Sequence, residues 1–402
     1  MTRKDKIEKW PLADDVVRRL PNPCYVMDMD LLDRNLEKLR RTADEVGVEI
    51  ILALKGFAMW SAFGRLHDHG FDQSTASSLW EARLAVEEMG KPAYTYAVSY
   101  TPEEIEEMAS LSSHLTFNSL AQFGRFSSVA RAVNGSISLG LRVNPEISSV
   151  GVDLYNPCVP GSRLGVRLGD LPAARDLPSG MEGFHCHALC ESDAAGSCRL
   201  IDRFEERFAD YLPHLKWVNF GGGHLITRQG HDTALLVERL QAFKARWPHL
   251  HVILEPGAAF VWQTGYLLAR VEDVVRNGGL PVAVMNVSFT AHMPDCLEQP
   301  YYPAIYGACH VEPGKETEAG VQGHRYRLGG NSCLAGDFMG DWVFPEPLHA
   351  GSLLLFKDMI HYTFVKTTMF NGVHHPSLCM LRGGEIAYRR DFGYQDFKSR
   401  LS

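Results

Sequence analysis

The sequence predicts an α/β protein of two domains, a (β/α)8 barrel followed by a mostly β domain. Strand-like and helix-like segments alternate from residue 30 to residue 260, which is the pattern of parallel βα units. Beyond residue 260 the helical pattern fades, and β-type runs separated by Gly and Pro take its place. A chain of 402 residues is also longer than one hydrophobic core usually serves.

Eight segments of the first domain have the length and apolar content of strands. In chain order they are EIILAL, FDQST, YTYAVS, LTFNS, SLGLRVN, GFHCHAL, WVNFGGG and HVILEPG. Between them, segments such as SLWEARLAVEEMG, LAQFGRFSSVARAV and TALLVERLQAFKARW place apolar residues at the three- and four-residue spacing of helices. Eight such units fit a closed barrel, although an open doubly wound sheet has the same alternation and stays an alternative.

The second domain is predicted from five β-type runs after residue 260. They are YLLARVEDVV, PVAVMNVSF, HRYRLGG, SLLLFKDM and EIAYRRDF. We therefore expect a barrel over residues 30–260 and a β domain over 261–402. The early run CYVMD, within residues 1–29, precedes the first barrel helix and is expected to join the β domain.

Composition and charge narrow the class of protein. Hydrophobic residues make up 45% and charged residues 22% of the chain, as in ordinary globular proteins. The net charge of −8 disfavours nucleic acid and anionic membranes and permits cationic ligands. The nine cysteines are scattered, and the N-terminus MTRKDKIEKWPLADD lacks the apolar core of a signal peptide. These features predict reduced thiols and a cytoplasmic location.

Side chains that carry chemistry follow directly on the predicted barrel strands. They are Lys55, Arg142, His187, Gly221, Gly222, Gly223 and Glu255. Active-site residues collect at the carboxyl ends of barrel strands, so this set should meet. A lysine amine can bind an aldehyde, consecutive glycines admit a phosphate, and a carboxylate can keep a pyridine nitrogen protonated. An imidazole could stack on such a ring, so the set predicts a site for pyridoxal 5'-phosphate (PLP).

Each residue of this set also has a simpler interpretation. A lysine at a strand end usually extends its ammonium into water, and GGGH and EPG are common turn sequences. The segment HCHALC could bind a metal, with His185, His187 and Glu255 forming a barrel hydrolase site. In a strand, however, Cys186 points to the face opposite the two histidines, which makes a four-ligand site awkward. The order and spacing of the whole set favour the cofactor site.

The second domain adds two segments with reactive side chains. GGNSCLAGD contains Cys333 and Asp337, and DMIHYTFVKTTMFNG contains Tyr362. A free cysteine is most often a small buried apolar side chain. A thiol in a turn flanked by Gly, Asn and Ser is better placed to move a proton.

These motifs, in this order, resemble the fold-type III PLP-dependent decarboxylases, the family of ornithine, diaminopimelate and arginine decarboxylases. The segments that carry the resemblance are ALKGFAMWS, TASSLWEARLA, FNSLAQF, DLYNPCVPGSRLGV, HALCE, NFGGGHLITR, HMPDCLEQPY, CLAGDFMGDW and HYTFVKTTMFNG. The resemblance implies an alanine racemase-like barrel, a C-terminal β-sandwich or β-barrel domain and PLP as cofactor. It is greatest for the branch that decarboxylates carboxynorspermidine or carboxyspermidine in polyamine biosynthesis.

The resemblance also implies roles for individual residues. Lys55 would bind the cofactor aldehyde, His187 would stack on the ring, and Glu255 would pair with the ring nitrogen. The residues implied around the phosphate are Gly221, Gly222, Gly223 and Tyr362, and Arg142 is implied near the cofactor. Cys333 would enter the site from the other subunit of a homodimer and, with Lys55 and His187, act in catalysis.

Three positions depart from the pattern of the better-known relatives. Cys190 stands where the ornithine and diaminopimelate enzymes have a serine for the phosphate. Leu334 replaces the acidic residue that follows the catalytic cysteine, and Tyr302 replaces an arginine that binds a distal carboxylate. The site is therefore not expected to suit a distal carboxylate or a short diamine.

The segment HMPDCLEQP offers carboxylates in their place. Asp295 and Glu298 can accept hydrogen bonds from the ammonium groups of a long polyamine tail, and Glu255 is a third carboxylate on the substrate side. Both loop acids could instead be solvated surface residues. Another decarboxylase of the family, a PLP racemase on the same barrel and a non-catalytic PLP-binding protein remain alternatives.

Overall fold

The computed structural model describes residues 10–151, 153–298, 300–312 and 323–402, which form two compact units. One unit is Asp33–Phe260. The other combines the chain up to Leu32 with Val261–Ser402.

The unit Asp33–Phe260 is built on parallel strands whose sheet closes on itself. The strands are Glu49–Ile50, Leu52–Ala53, Ser74–Ala76, Ala93–Tyr96, Ser112–Phe117, Ser138–Asn144, Met181–His185, Trp217–Asn219 and His251–Leu254. The first two form one strand interrupted at Ile51. Its first half pairs with His251–Leu254 and its second half with Ser74–Ala76. A sheet whose first strand pairs on both sides is a barrel, so the predicted (β/α)8 fold is confirmed.

Helices separate most of the barrel strands. The α-helices along this part of the chain are Met29–Val46, Phe63–Asp68, Leu79–Leu84, Ile105–Ser110, Leu120–Val133, Ala194–Phe208, Thr233–Arg246 and Ala258–Val261. Several begin at a short polar residue whose side chain accepts a backbone N–H three residues on, as the capping rules require: Ser78, Ser119, Asp193 and Asp232. The helix Leu79–Leu84 continues into a π-helical turn over Ala85–Met89.

One barrel connection differs from the others. Residues 145–180 contain only the short strand Val166–Arg167 and the 3-10 turns Asp153–Tyr155, Leu168–Asp170 and Ala174–Asp176 among their described residues. No α-helix lies in that described part of the connection. The loop is therefore free to extend over the carboxyl ends of the strands.

Part of the barrel interior is occupied by the Trp217 indole, which faces two glycines. Trp217 packs with Ile51 and Ile253, and its indole N–H donates to the Ser138 hydroxyl at 2.8 Å. A Cβ atom at Gly183 would lie 2.0 Å from the Trp217 ring, and one at Gly140 would lie 2.3 Å from it. The indole therefore fits only because two neighbouring strands carry glycine where they face it.

The other unit is a mixed sheet. Its strands are Cys24–Asp28, Gly265–Val275, Val282–Met285, Cys309–Val311, His324–Gly329, Phe338–Phe344, Leu353–Lys357, Ser377–Arg382 and Glu385–Arg390. Its short α-helices are Asp14–Arg19, Phe289–His292, Pro294–Glu298 and Tyr394–Lys398. Cys24–Asp28 pairs antiparallel with Gly265–Val275 and parallel with Ser377–Arg382. Within the described ranges, no helix is both long and apolar enough to cross a membrane.

Candidate active site

A cavity of about 510 Å³ lies at the carboxyl ends of the barrel strands. The strands contribute Lys55, Tyr96, Arg142 and His187 to its wall, and the loop 153–164 contributes most of the remainder. Pockets for small ligands and cofactors fall in this size range and at this end of such barrels. The structure thus brings together three of the residues that the sequence singled out.

Lys55 and His187 lie next to each other in the wall of this cavity. The Lys55 amine Nζ lies 3.4 Å from His187 Nε2. His187 Nδ1 accepts a hydrogen bond from the Gly222 N–H at 2.8 Å, which places the proton of a neutral ring on Nε2. His187 can therefore direct an N–H towards the lysine nitrogen.

The surroundings of Lys55 favour its neutral form. Burial lowers the pKa of its ammonium, and the charge of Arg142 lowers it further, against the opposing charge of Glu255. Burial also holds the pKa of His187 well below the ordinary histidine value, and the charges of Lys55 and Arg142 add to this effect. A neutral amine has the lone pair that attack on an aldehyde requires.

Glu255 is a buried carboxylate with two hydrogen-bond donors. It is 5% exposed, and its oxygens accept from His185 Nε2 at 2.8 Å and from the Asn219 side-chain amide at 3.0 Å. Burial alone would raise its pKa, but the charge and hydrogen bond of His185 and the nearby Lys55 and Asn219 lower the pKa to about 2. Glu255 is therefore ionised at any physiological pH.

His185 and Asn219 are site residues that the sequence analysis missed. His185 was considered only as a metal ligand, yet it shares the strand face of His187, with the two ring planes 3° apart. Asn219 ends the next strand and also accepts the Gly221 N–H at 2.8 Å. Their signal in the sequence was a polar side chain at the end of a strand. Among the described residues, no group of three His, Cys, Asp or Glu side chains is arranged to hold a metal ion.

The three glycines form a tight turn against these side chains. Gly221 and Gly223 have φ angles of +72° and +88°. A Cβ atom at Gly222 would lie 2.7 Å from the carbonyl oxygen of Glu255. Glycine is therefore required at this turn, and the N–H groups of Gly221 and Gly222 are used to hold Asn219 and His187.

Tyr96 and Asn118 fasten the cavity loop and were also missed. The Asn118 side-chain oxygen accepts from the Tyr96 hydroxyl and from the Gly165 N–H, each at 2.8 Å. Its amide donates to the Arg163 carbonyl oxygen at 2.7 Å. Tyr96 in turn lies under the Arg142 guanidinium, 4.7 Å from its ring centre. Arg142 itself is 4% exposed and donates to the His187 carbonyl oxygen at 2.9 Å.

In the β unit, Cys333 lies in an exposed turn that two polar residues hold. Its backbone N–H donates to the Asn371 side chain at 2.9 Å. The buried carboxylate of Asp337 accepts from the Ser332 hydroxyl at 2.6 Å and from the Phe289 N–H at 2.8 Å. Asp337 therefore has a structural role, fixing the turn that presents the thiol.

Tyr362 and the two loop acids also lie in the β unit. The Lys366 ammonium bonds to Asp295 at 2.7 Å and to Glu298 at 2.6 Å, and it lies 6.0 Å from the Tyr362 ring centre. Asp295 is buried, so it is not a solvated surface acid. The acids predicted to bind a substrate cation thus hold a cation of the chain itself.

The barrel residues fit PLP on chemical grounds. A lysine amine whose pKa is lowered by burial faces a cavity of cofactor size, and a carboxylate with a lowered pKa lies within electrostatic range of it. The His185 Nδ1 atom is buried and has no hydrogen-bond partner among the described residues. A heteroaromatic aldehyde needs such an amine, an anionic partner for its ring nitrogen and flat neighbours for its faces.

Comparisons with known proteins agree with this chemistry. Residues 24–360 match the family model described as pyridoxal-dependent decarboxylase, C-terminal sheet domain. The carboxyaminopropylagmatine decarboxylase of Synechocystis is 49% identical over 383 residues, covering 95% of this chain and 96% of the relative. The carboxynorspermidine/carboxyspermidine decarboxylase of Campylobacter jejuni is 40% identical over 386 residues, covering 95% of this chain and 99% of the relative.

A solved structure gives the same result for the whole fold. The carboxynorspermidine decarboxylase of Campylobacter jejuni, complexed with norspermidine, superposes with a TM-score of 0.84 at 38% identity. The match covers 95% of this chain and all of that one. The family resemblance, the fold class and the PLP cofactor expected from the sequence are therefore confirmed. The chain is an enzyme that belongs to the pyridoxal-dependent decarboxylases of the ornithine, diaminopimelate and arginine family.

Proposed function

We propose that this enzyme removes the α-carboxylate of a carboxylated polyamine, carboxynorspermidine or carboxyspermidine, releasing CO2 and norspermidine or spermidine. The observation that carries the proposal is the site geometry itself, a buried lysine amine beside an imidazole, with a buried glutamate carboxylate close to both. The relatives at 40% and 35% identity have carboxynorspermidine/carboxyspermidine decarboxylase as their name.

The barrel residues would hold and orient the cofactor. When bound, PLP supplies an electron sink for the bond to the departing carboxylate. Lys55 would hold the aldehyde carbon through its amine, His187 would lie against the ring, and Glu255 would keep the ring nitrogen protonated. His185 and Asn219 keep the Glu255 carboxylate in place and ionised.

The phosphate would lie near the glycine turn, with Tyr362 and Arg142 as further contacts. Because Gly221 and Gly222 already donate their N–H groups within the barrel, Gly223 is the glycine whose N–H we assign to the phosphate. Cys190, with its weakly polar thiol, contributes less than a serine would.

Proton return to the α-carbon is assigned to the Cys333 thiol. We propose that Cys333 enters the site from the partner subunit of a homodimer. Cys333 is exposed on its own chain, and Leu334 and Phe370 beside it are 48% and 49% exposed. Apolar side chains exposed around a reactive thiol are typical of a surface that a partner covers.

We also propose a cytoplasmic location, because all nine cysteines are free thiols.

A second substrate is favoured by one specific observation. The Synechocystis relative, at 49% identity, is named for carboxyaminopropylagmatine. That molecule ends in a guanidinium where carboxynorspermidine ends in an ammonium, so the two share a long cationic tail. Asp295 and Glu298 suit either cation, since a carboxylate accepts from both.

A competition assay tests the substrate. Release of CO2 would be followed with carboxynorspermidine, carboxyspermidine and carboxyaminopropylagmatine, beside ornithine and diaminopimelate. We expect the highest kcat/KM for one of the first three and little turnover of the last two. Preferred turnover of diaminopimelate or ornithine, or racemisation without CO2, would refute the proposal.

A further inference from the structure

The barrel cavity has a carboxylate of its own, on the loop 153–164. Asp153 begins the 3-10 turn Asp153–Tyr155 and lines the same cavity as Lys55. Among the described residues of the cavity wall, Asp153 is the one with a carboxylate. All of these residues belong to the barrel unit. A cation that enters the cavity therefore meets a negative charge within that unit.

The Asp153 carboxylate takes no part in holding the loop. It is exposed, and neither an ion pair nor a side-chain hydrogen bond joins it to another described residue. The loop is held by other groups. The Asn156 N–H donates to the Asp153 carbonyl oxygen at 3.2 Å, and the Asn144 side-chain amide donates to the Pro157 carbonyl oxygen at 3.3 Å. The carboxylate is therefore available to a ligand, on a loop that the barrel keeps in place.

The rest of the loop wall suits methylene groups. The wall beside Asp153 includes the apolar side chains of Leu154, Pro157, Val159 and Leu164. The tail of a carboxylated polyamine alternates short methylene runs with ammonium groups. An apolar wall with one carboxylate can bind both parts of such a tail, the methylenes by burial and the ammonium by a charge-assisted hydrogen bond.

Arg163 is a cation of the same loop and lines the same cavity. No ion pair joins it to Asp153 or to another described acid. A guanidinium at this position repels a cationic tail, whereas the Asp153 carboxylate attracts it. The two side chains are therefore expected to affect a cationic ligand in opposite directions.

We infer that Asp153 is a specificity-determining residue, whose carboxylate accepts hydrogen bonds from the cationic tail of the substrate while the substrate α-amine lies at Lys55. This inference rests on the proposed function and deepens it. A substrate with a neutral distal end gains nothing from Asp153, and one that ends in a carboxylate is repelled by it.

The test compares Asp153→Asn with Asp170→Asn in the PLP-loaded enzyme, using norspermidine as the probe. Asp170 is the matched control, because it is an exposed acid of the same barrel connection outside the described cavity wall. Calorimetry should show about threefold to tenfold weaker binding for Asp153→Asn, between the values for an exposed ion pair and for a buried hydrogen bond to a charge. Asp170→Asn should bind norspermidine like the wild type. Arg163→Gln should bind it at least as tightly as the wild type.

A readout on the unmodified chain covers the case in which Asp153→Asn does not fold. A water-soluble carbodiimide activates carboxylates, and an amine held against an activated carboxylate displaces the reagent as its urea and forms an amide. Peptide mass spectrometry should find norspermidine coupled to Asp153 several-fold more often than to Asp170.

Three results would overturn the inference. They are unchanged norspermidine binding in Asp153→Asn, equal weakening by Asp170→Asn or Arg163→Gln, and equal coupling of norspermidine to Asp153 and Asp170. The proposed function is tested separately, since it fails only if the wild type releases no CO2 from any carboxylated polyamine.

Discussion

The environment of Lys55 explains why a lysine follows the first barrel strand. Two residues after Leu52–Ala53 the chain reaches the cavity, where burial and Arg142 disfavour a charged ammonium. A lysine whose ammonium is simply hydrated would cost less free energy at the protein surface. The proposed use of Lys55 as an amine nucleophile would account for the free energy of holding it here.

Replacement of Lys55 by alanine should abolish both decarboxylation and the visible absorbance of bound cofactor. The variant retains His187 and Glu255 but has no amine to hold the aldehyde carbon. CO2 release and the absorption spectrum of the purified protein test this. Lys91→Ala, an exposed lysine on the same unit, should leave both unchanged. A yellow and fully active Lys55→Ala protein would contradict the assignment.

Replacement of Cys333 by alanine should slow turnover by about 10²-fold or more, as expected for loss of a positioned proton donor. Cofactor binding should persist, since the barrel residues that hold PLP are untouched. Steady-state kinetics and the absorption spectrum separate the two effects, and diversion to transamination would appear as a keto product. If the kinetics match those of the wild type, Cys333 has no part in proton return.

Glu255 should make the free energy of unfolding depend on pH in the acidic range. Its pKa is lowered from 4.5 to about 2 on folding, so its stabilising effect is complete above pH 4.5 and is lost as the pH falls towards 2. A shift of this size corresponds to about 3 kcal/mol at most. Urea unfolding of cofactor-free wild type and Glu255→Gln should therefore show a difference that shrinks from pH 6 to pH 3. A constant difference for Glu255→Gln over this pH range would refute the argument.

Two elements of the barrel position the site. The strand Trp217–Asn219 begins with the Trp217 indole in the barrel core and ends with the Asn219 side-chain amide, which donates to Glu255. The loop 153–165 is fastened to the strands through Asn118. The length and apolar content of the segment WVNFGGG predicted the strand. The pairing of the loop with Asn118 joins residues about 45 positions apart, which local patterns do not encode.

Replacement of Gly183 by alanine should destabilise the barrel by about 1 to 3 kcal/mol, the usual cost of overpacking. The added methyl would lie 2.0 Å from the Trp217 ring, so the strand or the indole would have to shift. Gly124→Ala is the matched control, because nothing lies within 4 Å of a Cβ atom at that position. It sits in the helix Leu120–Val133 and should stabilise by about 0.5 to 1 kcal/mol. Equal stabilities of the two variants in chemical unfolding would contradict this account of the core.

At the scale of the whole molecule, the proposed function divides its residues between the two units. The barrel supplies Lys55, His187 and Glu255, and the β unit supplies Cys333 and Tyr362. The proposal places each thiol in the barrel of the partner subunit of a homodimer. In such an arrangement two differently damaged subunits can build one complete site.

Mixing inactive Lys55→Ala with impaired Cys333→Ala protein should therefore restore activity. With random exchange, half of the dimers are mixed and each mixed dimer has one complete site, which gives about a quarter of wild-type activity. Subunits would be exchanged in mild denaturant and assayed after its removal, with each variant treated alone as the control. No gain over the separate variants, in a sample shown to be dimeric and exchanged, would refute sharing of the site.

The sequence by itself determined the barrel, the mostly β unit and the residues Lys55, His187 and Glu255, because periodicity and strand ends are local properties of a chain. The roles of Cys333, Asp295 and Glu298 stay predictions of the sequence. Only the tertiary structure decided the partners of these residues. His185 with Glu255, Asn118 with the loop 153–165, and Lys366 with Asp295 are contacts between positions 45 to 71 residues apart. Such contacts are selected by packing and charge in three dimensions, and no local pattern specifies them.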